Sequence, residues 1–116
     1  MSKDRPIPTS QGSVSHKLRT PNGIVYIHIV RDPETNLLKQ VRVDNGKIHM
    51  DSSILGSFNE LFCLALLKGA TVQDLVSALE GHRSRDTAFD EGRKILSLPD
   101  GIAQVLKEEF GSKRLN

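Results

Sequence analysis

The side chains best suited to chemistry stand together in His82-Arg83-Ser84-Arg85, with Arg93 and Lys94 further along the same loop. They follow Gly81, a residue that stops helices, and offer several hydrogen-bond donors in a short span. A guanidinium fork gives two parallel hydrogen bonds to a phosphate or carboxylate, so His82, Arg83, Arg85 and Arg93 form the candidate anion- or nucleotide-binding set. A helix opening at Ser97 would add free backbone amides that also favour anions, with Asp100 competing for that place. The plainer reading is a solvated loop whose arginines pair with Asp86, Asp90 and Glu91.

Other reactive constellations are not formed. His16, His28, His49, His82 and Cys63 lack the close, same-face spacing of zinc ligands, so no metal is expected. Asp44, Asp51, Glu60 and Glu80 have no fixed mutual spacing for acid–base work. Ser52, Ser53, Ser57 and Ser84 have no nucleophile-elbow context, and Gly46, Gly56 and Gly69 are too isolated to cradle a phosphate. No catalytic residue and no cofactor is assigned.

Composition narrows the partners. The chain has 116 residues, 37% of them apolar, enough for one domain with a modest core. Sixteen basic residues against 14 acidic ones leave a net charge of only +2, and aromatic content is 4% with no Trp. A nucleic-acid binder normally carries a basic stripe or a stacking platform, so Arg19, Arg31, Lys39, Arg42 and Lys47 read as a polar sheet face. One cysteine excludes an intrachain disulfide and fits a reducing compartment. No apolar run reaches the length of a membrane span, and residues 1–13 do not resemble a signal peptide. The expectation is a soluble, cytoplasmic domain.

Several elements would position the loop. Residues 1–13 read as a flexible tail, 14–111 as a single domain and 112–116 as a C-terminal tail. Strands are expected over 15–20, 24–31 and 37–44, separated by Pro21-Asn22-Gly23 and Asp32-Pro33-Glu34-Thr35-Asn36. Asn45-Gly46 signals a further hairpin into a short fourth strand over 47–50. Ser52 or Ser53 then caps a helix to Lys68, with Gly69 as its stop. Helices over 71–81 and 97–110 follow, each with a capping arrangement, Thr71 with Asp74 and Ser97 with Asp100. Between them residues 82–96 form a charged connection, long enough to hold a helical turn or to be functional.

The helix over 53–68 is apolar on more than one flank. Phe58, Phe62 and Leu66 lie along one, and Leu61, Leu64 and Leu67 along another. A small sheet covers only one flank, so Phe58, Phe62 and Leu66 are the candidate contact for a partner protein or a second copy, a dimer being expected. The plainer reading is that the two later helices cover them within the monomer.

This order of elements resembles the TSCPD domain, known at the C-terminal side of vitamin B12-dependent (class II) ribonucleotide reductases and as small free-standing proteins. The residues that carry the resemblance are Thr20-Pro21-Asn22-Gly23, Gly56-Ser57-Phe58, Leu66-Leu67-Lys68-Gly69, Leu79-Glu80-Gly81-His82-Arg83 and Pro99-Asp100-Gly101-Ile102-Ala103. The family's pattern places one Cys shortly after the loop Arg and another immediately before Pro-Asp. Ser84 and Leu98 stand at those positions here. The resemblance therefore implies the scaffold without a thiolate pair for metal binding or disulfide exchange.

The fold expected is α+β, a small antiparallel sheet of three or four strands followed by three helices packed on one face. The leading function is non-catalytic: protein–protein binding or self-association, with room for a nucleotide or phosphate ligand near His82. The alternative is a small enzyme or nucleotide-binding effector acting on a phosphorylated substrate through residues 82–85. A nucleic-acid-binding regulator is the weaker third reading.

Overall fold

The computed structural model describes residues 7–10, 13–48 and 51–111. Four strands, β1 (Ile7–Ser10), β2 (Ser13–Thr20), β3 (Gly23–Arg31) and β4 (Leu38–Ile48), form one antiparallel sheet in chain order. Helices α1 (Ser52–Leu67) and α2 (Val72–Leu79) follow, then a hairpin of β5 (Ala88–Asp90) and β6 (Arg93–Ile95), then α3 (Leu98–Phe110). The architecture is α+β, as the sequence pattern requires.

Side-chain alternation sets the layers. His16, Leu18 and Thr20 of β2, Val25, Ile27 and Ile29 of β3, and Val41 and Val43 of β4 are all buried. The register aligns them, with Ile27 opposite both His16 and Val43. One face therefore meets the helices, and the other carries Lys17, Arg19, Tyr26, His28 and Arg42 towards solvent. The β2–β3 turn is closed by Thr20, whose hydroxyl donates to the Gly23 carbonyl at 2.8 Å and accepts from the Asn22 amide at 3.1 Å.

α3 is the core helix. Leu98, Ile102, Val105 and Leu106 are each at most 1% exposed, and burying each such side chain contributes about 1.5–3 kcal/mol. Gly101 allows this closeness: a Cβ there would lie 2.7 Å from Leu18 Cδ2 and 3.0 Å from Ile95 Cγ2. α1 packs along β4 and buries only Leu55 and Phe62 fully. Asn59 completes that contact. Its side chain accepts from the Val43 amide at 2.7 Å and donates to the Val43 carbonyl at 3.0 Å. A helix amide thus stands in for a neighbouring strand and blocks the sheet edge.

Several expectations are corrected. Ile7–Ser10, inside the stretch expected to be a tail, pairs with β2, Ile7 opposite Ser15. Asn45-Gly46 is no hairpin: β4 runs through it as a bulge, with Asn45 opposite Val25 and Ile48 opposite Gly23. A Cβ at Gly46 would sit 2.6 Å from the Ile24 carbonyl oxygen, so glycine serves a close backbone approach there. Of the expected fourth strand over 47–50, residues 49 and 50 lie outside the described residues. The α1 cap is Asp51, whose carboxylate accepts from the Ser53 amide at 2.8 Å. The 82–96 connection holds β5 and β6 in place of a helical turn. Glu91 and Gly92 both have positive φ, 52° and 82°, the conformation of a tight two-residue hairpin turn.

Candidate functional site

The loop that opens with His82 is held by the start of α3. α2 begins with a full capping box between Thr71 and Asp74 and ends through Glu80 at Gly81, whose φ is 85°. The Gly81 amide donates to Asp100 Oδ1 at 2.9 Å. Asp100 Oδ2 accepts from the Leu96 amide at 3.1 Å and from Gln104 Nε2 at 2.9 Å. Ser97 Oγ donates to the His82 carbonyl at 2.6 Å and accepts from the Asp100 amide at 3.1 Å. The Ser84 amide donates to the Leu96 carbonyl at 2.9 Å. Ser97 and Asp100 of this strap are 6% and 4% exposed, and their side chains are hydrogen-bonded as above, the condition under which buried polar groups fix a conformation.

An open groove of about 430 Å³ lies against the strap. Phe58, Leu79, Leu98 and Pro99 give it an apolar floor, and Asn22, His82, Arg83 and Ser84 edge it. His82 Nε2 donates to the Ala78 carbonyl at 2.9 Å. Arg83 and Arg85 are exposed and form no ion pair among the described residues; of the pairing expected between the loop's arginines and its acids, the structure makes Arg93 with Asp90.

The four candidate anion ligands do not form one cluster. His82 and Arg83 border the groove, whereas Arg85 is outside its wall. Arg93 is engaged elsewhere: its Nη2 meets Asp90 Oδ2 at 2.5 Å and its Nη1 meets Glu108 Oε2 at 3.2 Å. Asp90, 2% exposed, also accepts from the Arg19 amide at 3.4 Å. Arg93 therefore balances a buried carboxylate and pins the β5–β6 hairpin to α3.

The histidines and the cysteine go separate ways. Buried His16 contacts Glu109 through Nε2 at 2.9 Å, and Glu108 lies 3.9 Å from Nδ1. Arg31 joins this group, donating to the Glu109 carboxylate at 3.0 Å and lying 4.1 Å over the Phe110 ring. His28 sits on the open sheet face between Ser15 Oγ at 2.6 Å and Asp44 Oδ2 at 2.9 Å. Cys63 is exposed, and His49 lies outside the described residues. Among the described residues no three His, Cys, Asp or Glu side chains converge as metal ligands would.

The contact flank of α1 needs correction. Phe62 is 4% exposed and stacks on Phe58 at 6.0 Å between centroids. Phe58 and Leu66 are half-buried against the core, so this flank faces inward. The opposite flank is open: Ile54 is 47%, Leu61 61%, Leu64 51% and Leu67 78% exposed.

Sequence reasoning missed the role of Asp100 and the His16–Glu109–Arg31 group. Asp100 has a local signal, the Ser-x-Pro-Asp spacing, but that spacing predicts a cap and not a bond across to Gly81. The second group joins residues 93 and 78 positions apart and leaves no local pattern.

The scaffold is α+β, and a Ser-x-Pro-Asp segment that opens the last helix holds the loop after α2. The TSCPD domain family model matches residues 3–110, nearly the whole chain, and the chain belongs to that family. No curated protein and no solved structure matches it. Ser84 and Leu98, which stand where the resemblance leads one to expect cysteine, lie at the groove's edge and, 1% exposed, in the core. Among the described residues no helix is long and apolar enough to cross a membrane.

Proposed function

We propose that this chain is a non-catalytic TSCPD module that works by protein–protein contact through the outward flank of α1. The observation that carries the reading is the exposure of Ile54, Leu61, Leu64 and Leu67 on one helix. Exposed apolar side chains are ordinary singly, but a contiguous helical patch marks a contact surface. α1 bears a single charged side chain, Glu60, across its length, which fits the charge-poor centre of protein interfaces. The resemblance to the module of class II ribonucleotide reductases agrees with a partner-dependent role. The chain carried as an affinity-tagged protein in its own cells tests this. Recovery of a specific protein partner, or of an untagged copy, that Leu64→Glu abolishes is the expected result; equal recovery with both forms contradicts it.

A second reading rests on Arg83. Its guanidinium is unpaired among the described residues and borders a groove with an apolar floor and polar rim, which suits a phosphate or nucleotide-type anion. Thermal stabilisation by inorganic phosphate or a nucleotide, lost in Arg83→Glu, supports it. No shift at millimolar ligand removes it.

A further inference from the structure

Within the outward flank, Ile54, Ser57, Leu61 and Leu64 follow one another at steps of three, four and three residues along α1. That is the spacing of a seam that a second helix covers. Ser57 is fit for burial there, because its hydroxyl already donates to the Ser53 carbonyl at 2.9 Å. We infer that a second copy of this chain covers the seam, the two α1 helices packing antiparallel about a two-fold axis.

The inference rests on the reading of this flank as a contact face, and shape and charge select the occupant. In the antiparallel register Ile54 faces Leu64 of the second copy and Ser57 faces Leu61, so each small residue meets a large one. Asp51 caps the start of α1 and Lys68 its end, and Lys68 forms no ion pair among the described residues. Antiparallel packing brings Asp51 of each copy within one residue of Lys68 of the other. It also sets opposite helix-dipole ends together, whereas parallel packing would oppose like charges. A seam of four side chains per copy is smaller than the standard interface of about 800 Å² per partner, which places the pair in the weak class with Kd on the order of 1–100 μM.

Sedimentation equilibrium of the full chain from about 1 μM to about 1 mM is the test. A reversible monomer–dimer equilibrium is expected, weakened roughly tenfold or more by Leu61→Glu or Leu64→Glu with the circular dichroism spectrum unchanged. Orientation is read from Ser57→Cys with Leu61→Cys in a Cys63→Ser background. Mild oxidation should link Cys at 57 of one copy to Cys at 61 of the other, whereas 57–57 and 61–61 bonds overturn the antiparallel arrangement. A monomer at every concentration overturns the inference. If Leu64→Glu then still abolishes capture of a different protein, the contact-face reading survives that failure; if it does not, both fall.

Discussion

α1 and α3 have exchanged the roles their compositions announce. α1 is the greasier helix, yet it fully buries only Leu55 and Phe62. α3 carries Gln104, Lys107, Glu108 and Glu109 and still buries Leu98, Ile102, Ala103, Val105, Leu106 and Phe110. Position decides this. α3 lies against β2, β6 and α2, where every apolar residue on its stripe meets another. α1 lies along β4 and has neighbours on one flank alone. A stripe sized to its surroundings is core, and an apolar flank beyond that is available to another molecule.

The sharpest way to break this contrast is a matched pair of truncations. Leu106→Ala in α3 should destabilise the fold by about 2–5 kcal/mol, since a fully buried leucine leaves a cavity as well as losing transfer energy. Leu64→Ala in α1, measured at concentrations too dilute for association, should stay within about 0.5 kcal/mol of wild type. Urea unfolding of both variants decides it. Similar losses would mean that α1 is core after all.

Next in size is the strap. Asp100→Ala removes the acceptor for the Gly81 and Leu96 amides and for Gln104. Leaving those donors unpaired should lower stability by about 2–3 kcal/mol. Amide hydrogen exchange should speed up at Gly81, Leu96 and Ser84 while the amides of α1 hold their rates. If exchange rises equally in α1, the two regions are one cooperative unit and the contrast fails.

A gentler comparison uses two glycines in the same two helices. At Gly101 a Cβ meets Leu18 and Ile95 at 2.7 and 3.0 Å, whereas at Gly56 nothing lies within 4 Å. Gly101→Ala should therefore cost about 1–2 kcal/mol through overpacking. Gly56→Ala should stabilise by about 0.5–1 kcal/mol through helix propensity. Opposite signs in thermal unfolding sharpen the contrast; the same sign refutes it.

The sequence makes the local layer of this fold legible. Strands and helices follow from alternation, from Pro21-Asn22-Gly23 and from the Thr71–Asp74 capping pair, and the family is readable in Pro99-Asp100-Gly101. What stays hidden is whatever depends on contact between distant segments. Asn45-Gly46 has turn chemistry, but pairing along β3 overrides it and turns the glycine into a bulge. Glu91-Gly92 makes a hairpin from residues that read as a charged loop, because Glu91 is held at positive φ by strand pairing on either side. Arg93 resembles Arg83 in sequence, yet the buried Asp90 carboxylate commits it to structure. The inward flank of α1 could not be told from the outward one, since periodicity identifies flanks without saying which of them β4 occupies.

The smallest effect expected comes from pH, and it again separates α1 from α3. Asp51 caps α1, and the Ser53 backbone amide holds its carboxyl below the ordinary value of 3.8. Asp32 in the β3–β4 turn is lowered likewise, by the amides of Glu34 and Thr35. A carboxylate whose folded pKa is depressed contributes stability that is fully present above its unfolded pKa. That contribution fades as pH falls through the lower folded value. Both carboxylates are solvent-exposed, so the effect is local fraying in place of global unfolding. Between pH 5 and pH 3, roughly, the amides of Ser53, Glu34 and Thr35 should shift in NMR spectra with titration midpoints below 3.8. The start of α3 has its own cap, Ser97, a hydroxyl that does not titrate in this range, so the Asp100 amide bonded to it provides the internal comparison. Midpoints at or above the ordinary value for Ser53 would show that Asp51 does not cap α1, and the register proposed for the paired helices would lose its charged ends.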